Sequence, residues 1–176
     1  MKTEYLLNRE VDLILAMLTD KNALIMRVAL HTGLRIGDVL SLKTDRLAPR
    51  LWVTERKTGK RRQIGLPEPL LSDLKKHAGK TWVFESPKTG RPQTRQAVWK
   101  DVKRAAHAMR LFQNAAPHSA RKVYAVDLLA KYGDIERVKR ALNHSSEAIT
   151  MVYALADRQL ESKMKRRRSA AGRRKV

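Results

Sequence analysis

The chain has 176 residues, 43% of them hydrophobic, with 38 Lys and Arg against 17 Asp and Glu, a formal net charge of +21. That is enough chain for one domain with a core of its own, and a field of this sign draws polyanions, nucleic acid first. The absence of cysteine excludes disulfides and thiolate metal sites and agrees with a reducing interior. There is no run of about 18 apolar residues to span a membrane, and no charged segment with an apolar core behind it to mark the start for secretion.

Asn8 or Thr3 is placed to cap a first helix in which Val11, Leu15 and Leu18 recur at helical spacing, with Ile14 beside them. A second helix is expected over ALIMRVALHTG, with Leu24, Val28 and His31, and Ile25 and Ala29 alongside, facing inward and Gly33 as the stop. A short third helix follows in LRIGDVLSLK, carried by Ile36, Val39, Leu40 and Leu42. Arg35 stands at the junction between the two. Taken alone it is an ordinary surface arginine. A Gly-flanked junction between buried helices, however, fixes the backbone, which suits a guanidinium that presents a two-pronged fork to phosphate.

Residues 51–66, LWVTERKTGKRRQIGL, read as strand, turn, strand, with Leu51 and Val53 on one face, Ile64 and Leu66 on the return and Thr58–Gly59 in the turn. The turn is crowded with Arg56, Lys57, Lys60, Arg61 and Arg62, and most of these charges are accounted for by solvation or by phosphate contact. A lysine on such a tip can also reach over a scissile phosphate and protonate the departing 5′ oxygen. PEPLLSDLKKHA (67–78) is a scaffold helix with Leu70, Leu71 and Leu74 inward and His77 at the surface. TWVF (81–84) is expected as a short apolar strand, followed by a loop bearing Lys88, Arg91 and Arg95 as phosphate contacts. In the helix after it, QAVWKDVKRAAHAM, Val98, Val102, Ala105 and Met109 form one face, and Trp99 is read as packing rather than as a platform for bases.

Pro117 is expected to end the preceding loop, and a helix to run from about His118 to Tyr132, before Gly133, with Val123, Val126 and Ala130 inward and Leu129 adjacent. His118 and Arg121 are three apart and project from one face of its first turn, where free N–H groups favour an anion. Lys122 beside them is a further candidate DNA contact. A short helix, DIERVKRAL, then leads to Asn143-His144-Ser145-Ser146, and either serine can cap a last helix, EAITMVYALAD, which carries Tyr153. Each of these residues has an unremarkable reading by itself. Two imidazoles, two guanidiniums, a lysine and a phenol in one chain nonetheless make a kit for attacking a phosphodiester.

TGLRIGDVLSLK resembles the first arginine motif of the tyrosine recombinase (phage integrase) family, with Gly37-Asp38 where the family often has Ser-Glu. LNHSSEAITMVY is similar to the family's closing segment, Asn143 replacing its usual glycine and Tyr153 lying nine positions beyond His144. The resemblance spans roughly residues 8–157, and the order Arg, Lys, His-x-x-Arg, His, Tyr is far more specific than any member. It implies a mainly α fold with a small antiparallel β-sheet (α+β), a catalytic domain over 1–160, and a site made of Arg35, Lys57, His118, Arg121, His144 and Tyr153. Tyr153 would be the nucleophile and Arg35 with Arg121 the clamp on the non-bridging oxygens. His118 would be the base, His144 a hydrogen-bond donor to the phosphate and Lys57 the acid, with Lys60 its rival after a shift of register. The implied reaction cleaves and rejoins double-stranded DNA through a 3′-phosphotyrosine, with no cofactor, metal or ATP. The implied setting is a dimer or tetramer on DNA, in the cytoplasm with the nucleoid.

Larger members of the family carry a DNA-gripping domain ahead of the catalytic one, so this chain is either a minimal recombinase or a catalytic piece. Residues 161–176 hold eight Lys and Arg and one Glu, +7 of the +21, so the first 160 remain basic. That segment is expected as a disordered basic arm. A type IB topoisomerase would share the chemistry and relax supercoils, and a non-catalytic DNA-binding regulator would keep only the charge. Retention of all six side chains argues against the regulator, and LNHSS favours the recombinase.

Overall fold

A computed structural model of the chain describes residues 3–142. His144, Tyr153, the capping serines Ser145 and Ser146 and the basic segment 161–176 lie outside the described residues. The chain divides into two compact units, Met1–Tyr124 and Ala125–Val176. Over the described residues it is mostly helical with one two-stranded antiparallel sheet, as the sequence implies.

Helix α1 (Asn8–Met17) starts differently from expectation, since neither Asn8 nor Thr3 caps it. The Glu10 carboxylate reaches back and accepts the Leu7 N–H at 2.7 Å. A glutamate at the third helical position can satisfy the cap amide whatever residue supplies it. Val11, Ile14 and Leu18 are buried as their spacing requires.

Helix α2 (Asp20–Thr32) buries Ala23, Leu24, Ile25, Met26, Val28 and Ala29. His31 is exposed, contrary to its place in the predicted stripe. The stripe steps from Val28 by four residues to Thr32, whose hydroxyl donates to the Val28 carbonyl at 2.7 Å. Gly33 then ends the helix at φ 65°, in the left-handed region, with its N–H on the Ala29 carbonyl at 2.9 Å. A Cβ there would fall 2.3 Å from the Tyr124 ring, so side-chain volume and backbone conformation both demand glycine.

Helix α3 (Ile36–Leu40) follows at once, with Arg35 as its N-cap residue. Strands β1 (Arg50–Thr54) and β2 (Arg61–Gly65) pair from Arg50↔Gly65 to Thr54↔Arg61. Their tip closes as the Glu55 carbonyl accepts the N–H groups of Thr58 and Gly59 at 3.3 and 2.8 Å, with Gly59 at φ 67°. Helix α4 (Glu68–His77) buries Leu71 and Leu74 and leaves His77 exposed.

The expected strand at 81–84 is reduced to one isolated bridge, Lys43↔Trp82. Val83 and Phe84 are fully buried, so burial rather than sheet pairing explains that apolar run. Helix α5 (Arg95–Ala108) is capped by Thr94, whose hydroxyl accepts the Ala97 N–H at 3.2 Å. Val98, Val102 and Ala105 are fully buried, whereas Trp99 is 48% exposed. One residue on from Val98, Trp99 lies about 100° around the helix and misses the buried stripe.

Asp101 on α5 accepts from the Thr19 N–H and hydroxyl and from the Asn22 amide, at 3.2, 3.2 and 2.7 Å, and so ties α5 to the α1–α2 corner. Helix α2 packs against α1, α3 and α4, and α5 against α1 and α3, enclosing one core that reaches from Leu6 to Val123.

Helix α6 (Pro117–Tyr132) ends where the sequence places it and starts one residue earlier, taking in Pro117, whose missing N–H costs nothing in the first turn. Val123 and Val126 are buried, Leu129 is half-buried, and Ala130 is exposed rather than inward. Helix α7 (Ile135–Ala141) is capped by Asp134, which accepts from the N–H groups of Glu136 and Arg137 at 2.8 and 3.2 Å.

Gly33→Ala should therefore cost about 2–4 kcal/mol in urea unfolding, combining left-handed strain with overpacking against Tyr124. Gly59→Ala shares the positive φ but has nothing within 4 Å, so it should cost only about 1 kcal/mol. Equal losses would mean that the Tyr124 contact plays no part.

Candidate active site

Three of the predicted residues meet at one open pocket of about 460 Å³. Arg35 comes to it from the α2–α3 junction, Lys57 from the hairpin tip and His118 from the first turn of α6. Arg56 and Arg95 line the same pocket, and among the described residues no acidic one but Asp38 does. Lys60 is exposed on the same tip but does not line the pocket.

Arg121 stands behind this surface rather than on it, 4% exposed, with its guanidinium donating to the Gly33 carbonyl. Burial first, and then repulsion from Arg35, lower its pKa from the ordinary guanidinium range to about 10. The left-handed turn at Gly33 thus aims a carbonyl at one arginine and starts the junction that carries the other.

Glu55 is the residue that the sequence reading passed over. It is fully buried and forms an ion pair with Arg35 on one oxygen and with Arg62, at 3.4 Å, on the other. The Thr58 hydroxyl donates to the oxygen that holds Arg35, at 3.4 Å. A carboxylate at the root of the hairpin therefore links Arg35 to the turn that carries Lys57. Leu51 and Val53 point inward, and the two-residue period of a strand puts position 55 on the same face. An acid there has to find a cation.

The period also relocates Arg62, expected to touch DNA. It lies opposite Val53 on the inward face, with a side chain only 11% exposed, and donates to the Thr32 carbonyl at 2.8 Å. Its partners are part of the fold. Lys122, likewise expected at DNA, is half-buried and donates to the Thr3 carbonyl. Arg61, Lys88, Arg91 and Arg95 are exposed, and Arg91 and Arg95 line a second cavity of about 510 Å³ that shares Arg56 with the first.

Asp38 is 2% exposed and accepts the Arg56 N–H at 2.9 Å, which anchors the start of the lysine-bearing turn. Burial raises its pKa, opposed by that N–H and reinforced by the charge of Glu55. Three arginines (Arg35, Arg62, Arg121) thus surround two carboxylates (Asp38, Glu55), a surplus of one positive charge close to the pocket. Such a site receives an anion. Among the described residues no group of three or more His, Asp or Glu is placed to hold a metal.

The phage integrase family profile matches residues 4–159 of this chain. The probable integrase/recombinase YoeC of Bacillus subtilis strain 168 is 32% identical over 130 residues, 70% of this chain and 71% of that protein. A tyrosine recombinase of Thermosipho africanus is 28% identical over 162 residues, 85% of this chain but 56% of the relative. Against several relatives the chain thus spans about half of their length. Among solved structures, a lambda integrase (75–356) dimer bound to a COC′ core site superposes with a TM-score of 0.73 at 23% identity, over 86% of this chain and 60% of that one. The XerA recombinase does so with a TM-score of 0.71 at 19% identity, over 93% and 66%. At these identities the structures speak to the fold.

The charge surplus gives opposite signs for two substitutions. Glu55→Gln leaves Arg35 and Arg62 without their counterion and should destabilise the fold by about 2–4 kcal/mol. Arg121→Gln relieves a buried, mutually repelled cation and should leave stability at pH 7 unchanged or raised by about 1–3 kcal/mol. Because the folded pKa of Arg121 is lowered, its cost to stability is complete below about pH 10 and fades as pH rises from there toward the ordinary guanidinium range. Urea titrations of both variants at pH 7 test this, and a stabilised Glu55→Gln would contradict the pairing.

Proposed function

Since the chain belongs to the phage integrase family, we propose that it is a tyrosine-type site-specific recombinase, cutting and rejoining double-stranded DNA without metal or ATP. The observation that carries this reading is the convergence of Arg35, Lys57 and His118 on one pocket, backed by the buried guanidinium of Arg121. These residues lie far apart in sequence, and a protein that merely bound DNA would need no such convergence.

In the proposed reaction the Tyr153 oxygen attacks phosphorus and the bond from phosphorus to the 5′ oxygen breaks. The phenolic proton passes to His118, and Lys57 gives a proton to the departing 5′ oxygen. Arg35 offers its remaining donors to a non-bridging oxygen while Glu55 holds it in place. Arg121 adds its field from behind, and His144 donates a hydrogen bond to the phosphate. Reversal with a different 5′-hydroxyl reseals the strand. One phosphodiester replaces another, so no energy source is required. The lining of the pocket favours Lys57 over Lys60 as the acid.

Relatives of this fold are described as dimers and tetramers on DNA. The same is proposed here, with 1–160 as the catalytic domain and 161–176 as a basic arm that adds non-specific affinity. No helix among the described residues is long and apolar enough to cross a membrane. The proposed setting is the cytoplasm, at the nucleoid.

Incubation with a nicked suicide duplex carrying the preferred DNA site should yield a protein–DNA adduct that survives denaturing electrophoresis. Tyr153→Phe should abolish it with duplex affinity changed less than about twofold. Lys57→Ala should slow adduct formation by about 100-fold or more, with recovery on a substrate whose 5′ leaving oxygen is replaced by sulfur, a better leaving group that needs no acid. A Lys60→Ala variant with the larger defect would transfer the role to Lys60, and relaxation of any supercoiled plasmid at low enzyme would favour a topoisomerase.

A further inference from the structure

Around the hairpin from the catalytic pocket lies another open groove, of about 810 Å³, lined by Lys43, Arg46, Arg50, Arg56 and Arg61 and by two indoles, Trp52 and Trp82. Among the described residues Asp38 is the one acidic residue along it, and it is buried with an oxygen already on the Arg56 N–H. Trp52 alternates outward between the buried Leu51 and Val53 and is 55% exposed. The Arg61 guanidinium lies 5.3 Å from the centre of its ring, and the Lys43 ammonium 3.4 Å from that of Trp82. The structure thus puts exposed aromatic surface and a row of cations in one channel.

We propose that this groove binds an unpaired DNA strand, its cations following the phosphates while a base stacks on Trp52. Cations alone would serve duplex DNA, whose bases are stacked on each other and hidden from an indole, so an exposed tryptophan adds little there. Against an unpaired strand the same indole is an acceptor for any base, and a basic groove with aromatic platforms is how sequence-tolerant single-strand binding is achieved. An apolar protein partner would bury five cations without counterions, at a cost that the two indoles cannot offset. Arg56 and Asp38 line both this groove and the pocket that holds Arg35, so a strand leaving the pocket passes directly into the groove. The inference rests on the reaction proposed above, in which cleavage frees a strand that has to leave its own helix before it can join another.

The test uses the whole chain and fluorescein-labelled oligothymidylate, which has no structure of its own, beside a labelled hairpin duplex at the same salt. Wild-type protein should bind the oligothymidylate. Trp52→Ala should weaken that binding about tenfold and change duplex affinity less than about twofold. Trp52→Phe keeps a ring that can stack and should stay within about threefold of wild type, which separates loss of the platform from damage to the fold. The double variant Arg46→Gln/Arg50→Gln should lower the salt dependence of oligothymidylate binding by about one unit or more of slope. The proposal is overturned if wild type does not bind oligothymidylate, if Trp52→Ala binds it as wild type does, or if duplex affinity falls in parallel. Displacement by oligoglutamate as effective as by unlabelled oligothymidylate would also overturn it, reducing the groove to a surface for any polyanion. Failure of the recombinase reading would register separately, as an absent adduct on the nicked duplex with oligothymidylate binding intact.

Discussion

The pairing of the Glu55 carboxylate, fully buried, with Arg35 and Arg62 is the interaction on which the arrangement of the site depends. A lone buried anion would cost several kcal/mol, and so would a lone buried guanidinium. Together they offset one another's charge and fix three pieces of backbone at once: the α2–α3 junction, the root of the β1–β2 hairpin and, through the Thr32 carbonyl, the end of α2. Arg35 is thereby held before any ligand arrives. The same cluster makes substitution at 55 and 62 a joint matter. Losing the acid strands two cations, losing Arg62 removes the ion-pair partner of one Glu55 oxygen, and replacing both with apolar residues removes the problem together with the grip on Arg35.

Gly33 does for the backbone what Glu55 does for charge. Its positive φ turns the chain sharply enough for α3 to follow α2 without a loop, and its missing Cβ leaves room for the Tyr124 ring. Its carbonyl takes a donor from Arg121. Both arginines of the proposed clamp are therefore referred to one turn, and this precision is needed where a displacement of about 1 Å can cost a hundredfold in rate.

Much of this could be read from the sequence. Helices α2, α4, α5 and α6 announce themselves by apolar spacing and stops, and the hairpin by alternation and Thr58–Gly59. Arg35, Lys57 and His118 were legible through the order of the motifs, and the fold brings them to one pocket. The misses have physical causes. His31 and Thr32 are adjacent, and a stripe that can step by three or by four does not say which one faces in. Trp99 was assigned to the core on its hydrophobicity although its phase excluded it. TWVF has the composition of a strand but too few partners to form more than a bridge. Arg62 was counted with its charged neighbours, when the alternation that placed Val53 and Ile64 inward placed Arg62 with them. Glu55 was missed for the same reason, one strand earlier.

A clamp that already carries its own counterion has a consequence for how the reaction runs. Three unshielded arginines would hold any phosphodiester, and strong attachment to the resting substrate deepens the well from which the transition state has to be reached. With Asp38 and Glu55 set against two of those charges, the intact strand, the proposed phosphotyrosine and the resealed strand would all meet a similar, moderate field. None of the three becomes a trap. In the proposed reaction such a site favours neither direction, and what decides the outcome is the company of DNA strands around it rather than the site itself.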